Sequence, residues 1–270
     1  MSTANLEIQK TKDSSEMKQR RFSIHLTHAR VELDQAKMKI LIVSVILIFT
    51  GLTSVLSQKY INEILAYAGY ALQNPPTPTM GSFLQDFLGN STLFVIIIIL
   101  LGMGTFSNEL DVNKQVYFTL SRPISRSEYY ITRSIILTVG MAIATILSSL
   151  IVYFYATWFF ASIAFNKINL ILLMISFQYA SIFAIMIMFS SQYGSAAAGT
   201  LGFITYLSEA IISIFEPLKW FSSIALSNDW TKIYAGTISN SDLFFEFLAL
   251  IIWTIVPLII GWFVYQRRDL

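Results

Sequence analysis

The chain has 270 residues, 55% of them hydrophobic, a mean hydropathy of +0.62 and a formal charge of +2. No acidic or basic domain is large enough to suggest nucleic acid, and the absence of cysteine excludes disulfides, thiolate metal sites and cysteine nucleophiles. A bilayer crossing takes about 20 mostly apolar residues. Five long stretches carry no formal charge: 40–58, 87–108, 134–166, 168–208 and 247–266. The fourth is about twice one crossing, and the polar run Ser190-Ser191-Gln192-Tyr193-Gly194-Ser195 divides it. The pattern predicts an all-α, polytopic protein with six spans, near 40–57, 91–107, 132–160, 168–189, 195–215 and 244–265.

Residues 1–38 are too polar for a cleavable signal peptide, so the first span is expected to act as the insertion signal. Phe22, Leu26, Ala29, Leu33, Ala36 and Ile40 share one face of a helix, with His28/Glu32 and Arg30/Asp34 paired at i,i+4 on the other. This predicts an amphipathic helix along the membrane surface, serving as an anchor or as a docking element. His25 and His28 read as solvated residues of that helix. The loop 58–90 is broken at Asn74-Pro75-Pro76-Thr77-Pro78. The sequon Asn90-Ser91-Thr92 abuts the second span and reads as a chance match.

The segment 108–133 carries the most specific pattern. Ser125 and Glu128 have capping-box spacing, and Ile124 and Tyr129 stand where a hydrophobic staple would. Pro123 forces Arg122 out of helical geometry. The expected shape is a short helix, a turn at Ser121-Arg122-Pro123, then a new helix feeding span three, with Arg122 and Arg126 exposed. In span five, Gly194, Ala198 and Gly202 recur every four residues, a spacing that lets helix backbones approach closely. Glu209 in the same span reads either as a cavity-lining carboxylate or as one bonded to a neighbouring helix. Gln178 in span four reads as interhelical glue before ligand. Pro217 ends span five, and the residues to Leu226 predict short interfacial or re-entrant helices.

Of the 18 Lys and Arg, 14 fall in residues 1–39, the 108–133 loop and the C-terminal tail, against 4 on the other side. The positive-inside bias then places both termini and the 108–133 loop in the cytoplasm, with 58–90 and 216–243 outside. No phosphate-binding loop, no His-Glu-x-x-His helix and no histidine in any span is present, and no aspartate falls inside the predicted spans. One carboxylate at membrane depth and no internal repeat argue against an ion-driven transporter.

The chain resembles the type-2 family of ABC transporter permeases, six-span exporter-like membrane subunits. The resemblance rests on the helix with Glu32-Leu33 before span one, the stretch Leu120-Ser121-Arg122-Pro123-Ile124-Ser125-Arg126-Ser127-Glu128-Tyr129, the Pro217 segment, and the tail Arg267-Arg268-Asp269-Leu270. Where the family shows Gly-Thr after an acidic stretch, this chain has Lys114-Gln115 after Glu109 and Asp111. The resemblance implies a non-catalytic subunit of a plasma-membrane exporter, paired with a second permease chain. ATP and Mg would be bound by a separate ABC ATPase that docks on the 108–133 loop. Glu109, Asp111, Arg122, Pro123, Arg126 and Tyr129 are the expected ATPase-coupling residues, and Glu209, Gln178 and Gly202 the pathway or gating candidates. A non-transporting membrane scaffold or assembly factor is the alternative. No cofactor is expected on this chain, and membrane lipid is its solvent.

Overall fold

The fold was described from a computed structural model, which describes residues 3–69, 77–107, 125–160, 165–215 and 217–267, with side chains of the first helix from Thr27 onward. The described residues are helical, without strands. The helices are α1 (Thr3–Lys59), α2 (Ile61–Tyr67), α3 (Met80–Gly89), α4 (Ser91–Met103), α5 (Arg126–Ala156), α6 (Phe165–Ser190), α7 (Ser195–Ile212), α8 (Ala225–Asn228), α9 (Trp230–Ala235) and α10 (Asn240–Arg267). A 3-10 turn, Lys219–Phe221, lies between α7 and α8. Six helical stretches are long and apolar enough to cross a bilayer: Thr27–Lys59, Met80–Met103, Arg126–Ala156, Lys167–Ser190, Ser195–Ile212 and Asn240–Arg267. The protein is a multi-pass membrane protein, and the divided fourth stretch is two helices.

The second crossing begins earlier than its charge-free run suggested. At ~1.5 Å rise per residue, the 13 residues of α4 reach only about 20 Å, short of the ~30 Å hydrocarbon core. Helix α3 supplies the rest. Its N-cap Thr79 accepts from the Ser82 backbone N–H at 3.1 Å, and the Thr79 N–H donates to Ser82 Oγ at 3.0 Å. Met80, Phe83, Leu84, Phe87 and Leu88 give α3 a buried apolar face. This crossing contains Asp86, which corrects the expectation that spans lack aspartate. Its carboxylate accepts from Ser57 Oγ at 3.1 Å. The Asn90 amide of the chance sequon donates to Ser54 Oγ at 3.3 Å.

Helix α1 runs from Thr3 to Lys59, so no break in the helix separates the N-terminal segment from the first crossing. The buried residues of its junction are His28, Glu32 and Ala36, whereas Leu33 of the expected apolar seam is 54% exposed. The packed face thus joins His28 and Glu32 of the polar face to Ala36 and Ile40 of the seam. His28 is buried, not solvated, because α5 covers it. Asp34 pairs with Lys37 at 3.0 Å.

Helix α6 is the centre of the bundle: 83% of its membrane window is buried, against 17% for α7. Close packing around α6 depends on small residues. A Cβ at Gly102 of α4 or at Gly202 of α7 would overlap the Met186 side chain of α6. The small-residue face of α7 therefore packs within the chain at Gly202. In α10, Pro257 is buried inside the helix, and one turn later Gly261 lets the Tyr130 hydroxyl approach its backbone.

A Gly261→Val side chain would meet Tyr130, itself 1% exposed, and the α6 backbone at Met188. Overpacking of this kind costs about 1–3 kcal/mol. Thermal melting of the purified protein should drop clearly for Gly261→Val. It should stay within about 1 °C, or rise, for Gly89→Ala, whose new methyl meets nothing within 4 Å.

Candidate functional site: a buried arginine at the loop end and a carboxylate staple at the other

Helix α5 starts where the 108–124 segment ends. Ser125 is extended (φ −73°, ψ 152°), and its Oγ accepts from the Glu128 N–H at 3.2 Å. The serine half of the expected capping box is therefore present, and it fixes the first turn of α5. Of the coupling candidates, Glu109, Asp111, Arg122 and Pro123 lie outside the described residues. Arg126 stands partly exposed in the first turn. Tyr129 points into the bundle and is 2% exposed.

Below Tyr129 lies Arg133. One guanidinium nitrogen, Nη1, donates to Glu32 Oε2 at 2.9 Å, to Gln35 Oε1 at 3.0 Å and to Tyr129 Oη at 3.1 Å. The other, Nη2, donates to the Thr105 carbonyl at 2.9 Å. Glu32 and Gln35 belong to α1, Thr105 follows α4, and Tyr129 and Arg133 belong to α5. Lys39 Nζ adds a second tie from α1, donating to Thr105 Oγ1 at 3.1 Å. His28 stacks on Tyr129, ring centroids 5.7 Å apart, and its Nδ1 is 4.0 Å from Glu32 Oε1. The arginine also rests 5.4 Å above the Phe106 ring, a favourable cation–π contact.

Phe106, Tyr129, Tyr130 and Tyr265 pack mutually beneath it, with centroids 5.1–6.4 Å apart. Tyr265 brings in α10, and so does Ser127 of the first turn of α5. The Ser127 hydroxyl accepts from Trp262 Nε1 at 3.2 Å and bonds the Gln266 amide. About two turns of α5 thus carry side chains that hold α1, the end of α4 and α10.

At the opposite end, the residues after α7 fold back on the bundle as three short helical turns, as the Pro217 break predicted. Glu209, 2% exposed, anchors them. Its Oε2 accepts from the Ser223 N–H at 3.0 Å and from the Ser223 hydroxyl, and its carbonyl accepts from Ser222 Oγ at 3.0 Å. Asp229 is gripped by Lys232 at 2.8 Å and Lys219 at 3.4 Å. Burial pushes its carboxyl up, but the bond from Lys232 and the two lysine charges hold it below the ordinary carboxylate range. Glu246 of α10 is buried, 1% exposed. Trp253 Nε1 donates to the Phe221 carbonyl at 2.6 Å and closes the segment onto α10.

The pathway candidates are not brought together. Glu209 staples the far-end segment, Gly202 presses on Met186 in mid-bundle, and Gln178 lies on the wall of a cavity near α3 and α8. Sequence reasoning missed the Arg133–Glu32 pair because 101 residues separate its partners. The available signal was an arginine at the very start of a charge-free run and a glutamate one helical face away from the apolar seam. No protein-family model matches the chain, and no characterised protein sequence matches it.

Removing one partner of a buried ion pair costs about 3–5 kcal/mol because the other charge is stranded. Arg133→Gln and Glu32→Gln should each destabilise the purified protein on that scale, measured by loss of helical signal in denaturant. The double variant should cost clearly less than the sum of the two. A second expectation follows from Asp229. A carboxyl whose folded value is depressed stabilises the fold above its unfolded value of about 3.9 and loses that contribution as pH falls through the folded value. Tryptophan emission should therefore shift red on acidification below about pH 4, as the far-end segment leaves Trp253. Asp229→Asn should remove this transition and show the shifted emission at neutral pH.

Proposed function

We propose that the chain is the membrane-spanning permease subunit of an ATP-driven ABC exporter, forming a substrate pathway and taking its motion from a separate ATPase docked on the 108–133 loop. One observation carries the reading. The helix that leaves this loop is capped at Ser125 and bonded within two turns to α1, to the end of α4 and to α10. A displacement of the loop then moves four helices together. In a flexible connection it would be absorbed. The resemblance of residues 120–129 to the coupling region of type-2 permeases supports the same reading, as do the six crossings.

In this reading the chain performs no chemistry. ATP and Mg are held by the partner. ATP binding brings two ATPases together, and the loop makes different contacts in the two states, as any coupling requires. In this reading both termini and the loop lie on the cytoplasmic side of the plasma membrane, an orientation that the Lys and Arg distribution supports. Helix α7, the least buried crossing, turns Phe203, Ile204, Leu207 and Ile211 outward and offers a face for a second permease subunit.

The deciding experiment is purification of the tagged chain from its native membrane, with identification of what accompanies it. A stoichiometric phosphate-loop ATPase supports the proposal, and a second permease chain beside it defines a heterodimer. A cross-linked preparation free of ATPase overturns it in favour of a membrane scaffold. In the assembled complex, Arg126→Glu should leave melting temperature and partner content unchanged. ATP turnover should fall by roughly tenfold, within the range of typical coupling energies. Wild-type turnover would remove the loop from the mechanism.

A further inference from the structure

Helix α3 meets the last turns of α1 along a polar seam near the far end of the bundle. Asp86 of α3 reaches across it to Ser57, whose Oγ lies 3.1 Å from Oδ2. The same hydroxyl lies 3.0 Å from the Ser54 carbonyl, and its single proton serves only one of the two at a time. The other carboxylate oxygen, Oδ1, has no hydrogen-bond donor among the described residues. It is within reach from outside: Asp86 is half-buried, and Oδ1 is not one of the oxygens shut inside the bundle. No lysine, arginine or histidine among the described residues pairs with this carboxylate. Lys59, two residues beyond Ser57, lies instead 4.1 Å over the Phe159 ring and 4.9 Å over the Tyr60 ring. A carboxylate inside a crossing is costly without a counter-charge.

The surroundings favour a cation. Asn90 stands one turn after Asp86, where the second crossing is interrupted between α3 and α4. Its Nδ2 donates to Ser54 Oγ at 3.3 Å, which leaves Oδ1 as a second open acceptor. Helix α1 ends at Lys59 and α3 at Gly89, so both bring C-terminal ends, with their partial negative charge, to the seam. Among the described residues no group of three His, Asp or Glu converges to hold a metal ion. The flank of the seam is apolar and exposed, with Leu56 of α1 and Leu93 of α4 facing outward. Leu93 follows Asp86 by two turns along the same face. A primary ammonium offers a positive charge and three N–H donors, and it stays charged at neutral pH. Carried on an apolar chain, it uses the two oxygens and the flank together.

We propose that the seam between α1 and α3 binds a primary ammonium group carried on an apolar chain. Asp86 is its counter-charge, the Asn90 carboxamide oxygen its second acceptor, and the chain lies along Leu56 and Leu93. The group belongs either to a free amphiphilic amine or to an aminolipid headgroup. The site does not rest on the transport reading: it is complete within one chain and is read by binding alone.

The test uses the full chain in phosphatidylcholine nanodiscs, with dodecylamine carrying a photoreactive diazirine on its chain. Mass spectrometry should find the label on peptides holding Leu56 or Leu93. Unlabelled dodecylamine should compete saturably, and dodecanol, which has the chain without the charge, should not. Discs doped with phosphatidylethanolamine separate the sources: loss of label there assigns an aminolipid headgroup, and retention assigns a free amine. Asp86→Asn, close to isosteric, should weaken labelling by at least about tenfold, the scale of a hydrogen bond to a charged group. Asn90→Ser should weaken it in the same direction. Competition by dodecanol equal to that by dodecylamine overturns the proposal, because the seam would then be reading the chain alone. Loss of label in sodium chloride but not in choline chloride of equal ionic strength overturns it in favour of an inorganic cation. So does unchanged labelling in a folded Asp86→Asn, or, should that variant not fold, in Asn90→Ser.

Discussion

A guanidinium cannot give up its proton at any ordinary pH, so burying one obliges the protein to surround it with acceptors. Arg133 is 8% exposed, and its bonds go to a carboxylate, a carboxamide, a phenol and a backbone carbonyl. That obligation organises the loop end of the molecule. The acceptors come from three parts of the chain, and none is adjacent in sequence to another except through α5 itself. Moving any one of α1, α4 or α5 alone would strand a charge or an acceptor in a region without water. Compared with an apolar contact, such a pair adds little net stability, since desolvation offsets most of the attraction. What it adds is a steep penalty for misalignment. The aromatic floor of Phe106, Tyr129, Tyr130 and Tyr265 shares that property, because close-packed rings have few alternative arrangements.

The far end solves a different problem with carboxylates. A helix that stops after Ile212 leaves its last carbonyls without intrahelical partners. The Ile211 and Ile212 carbonyls accept from Ile214 and Phe215 in a tightened last turn, and the returning chain adds Ser222 Oγ to the Glu209 carbonyl, which the Ser213 N–H already bonds. The Glu209 side chain then holds Ser223, so one residue serves the returning segment twice. Asp229, with its two lysines, ties the next turn of that segment, and Trp253 ties it to α10. The contrast with Arg133 is one of connectivity: the loop end converges on a single buried cation, and the far end is held by several separate buried contacts.

Much of the architecture was legible because lipid imposes length and charge rules. Six crossings and the break at Ser190–Ser195 followed from charge-free runs, and the short turns after Pro217 followed from helix breaking. The Ser125 cap was visible from one serine three residues before a glutamate. Where the reading departed, it took the polar face of α1 to be solvated. Leu33 of the stripe does face outward, but His28 and Glu32 pack on α5 together with the stripe's Ala36. In lipid an outward apolar face is the solvated one, so the stripe marks the exterior as readily as the core. The early start of the second crossing was hidden by Asp86, whose charge ended the run although Ser57 receives it. Long-range pairing, Glu32 with Arg133 or Glu209 with Ser223, leaves no local periodicity to detect.

Between the two ends lies α6, and its contacts show where the bundle can yield. Met186 meets both Gly102 of α4 and Gly202 of α7, so a single unbranched side chain fills the junction of three helices. Methionine has three rotatable bonds and adapts to shifts that a branched residue would resist. Glycine on both sides removes the side chains that would otherwise interlock. The loop end, by contrast, has interlocked rings and an arginine bonded to four acceptors. A force entering through α5 therefore meets a stiff joint first and a compliant one in mid-bundle. On the proposed reading, that order would put stiffness where motion is received and an adaptable side chain at the closely packed junction of α4, α6 and α7.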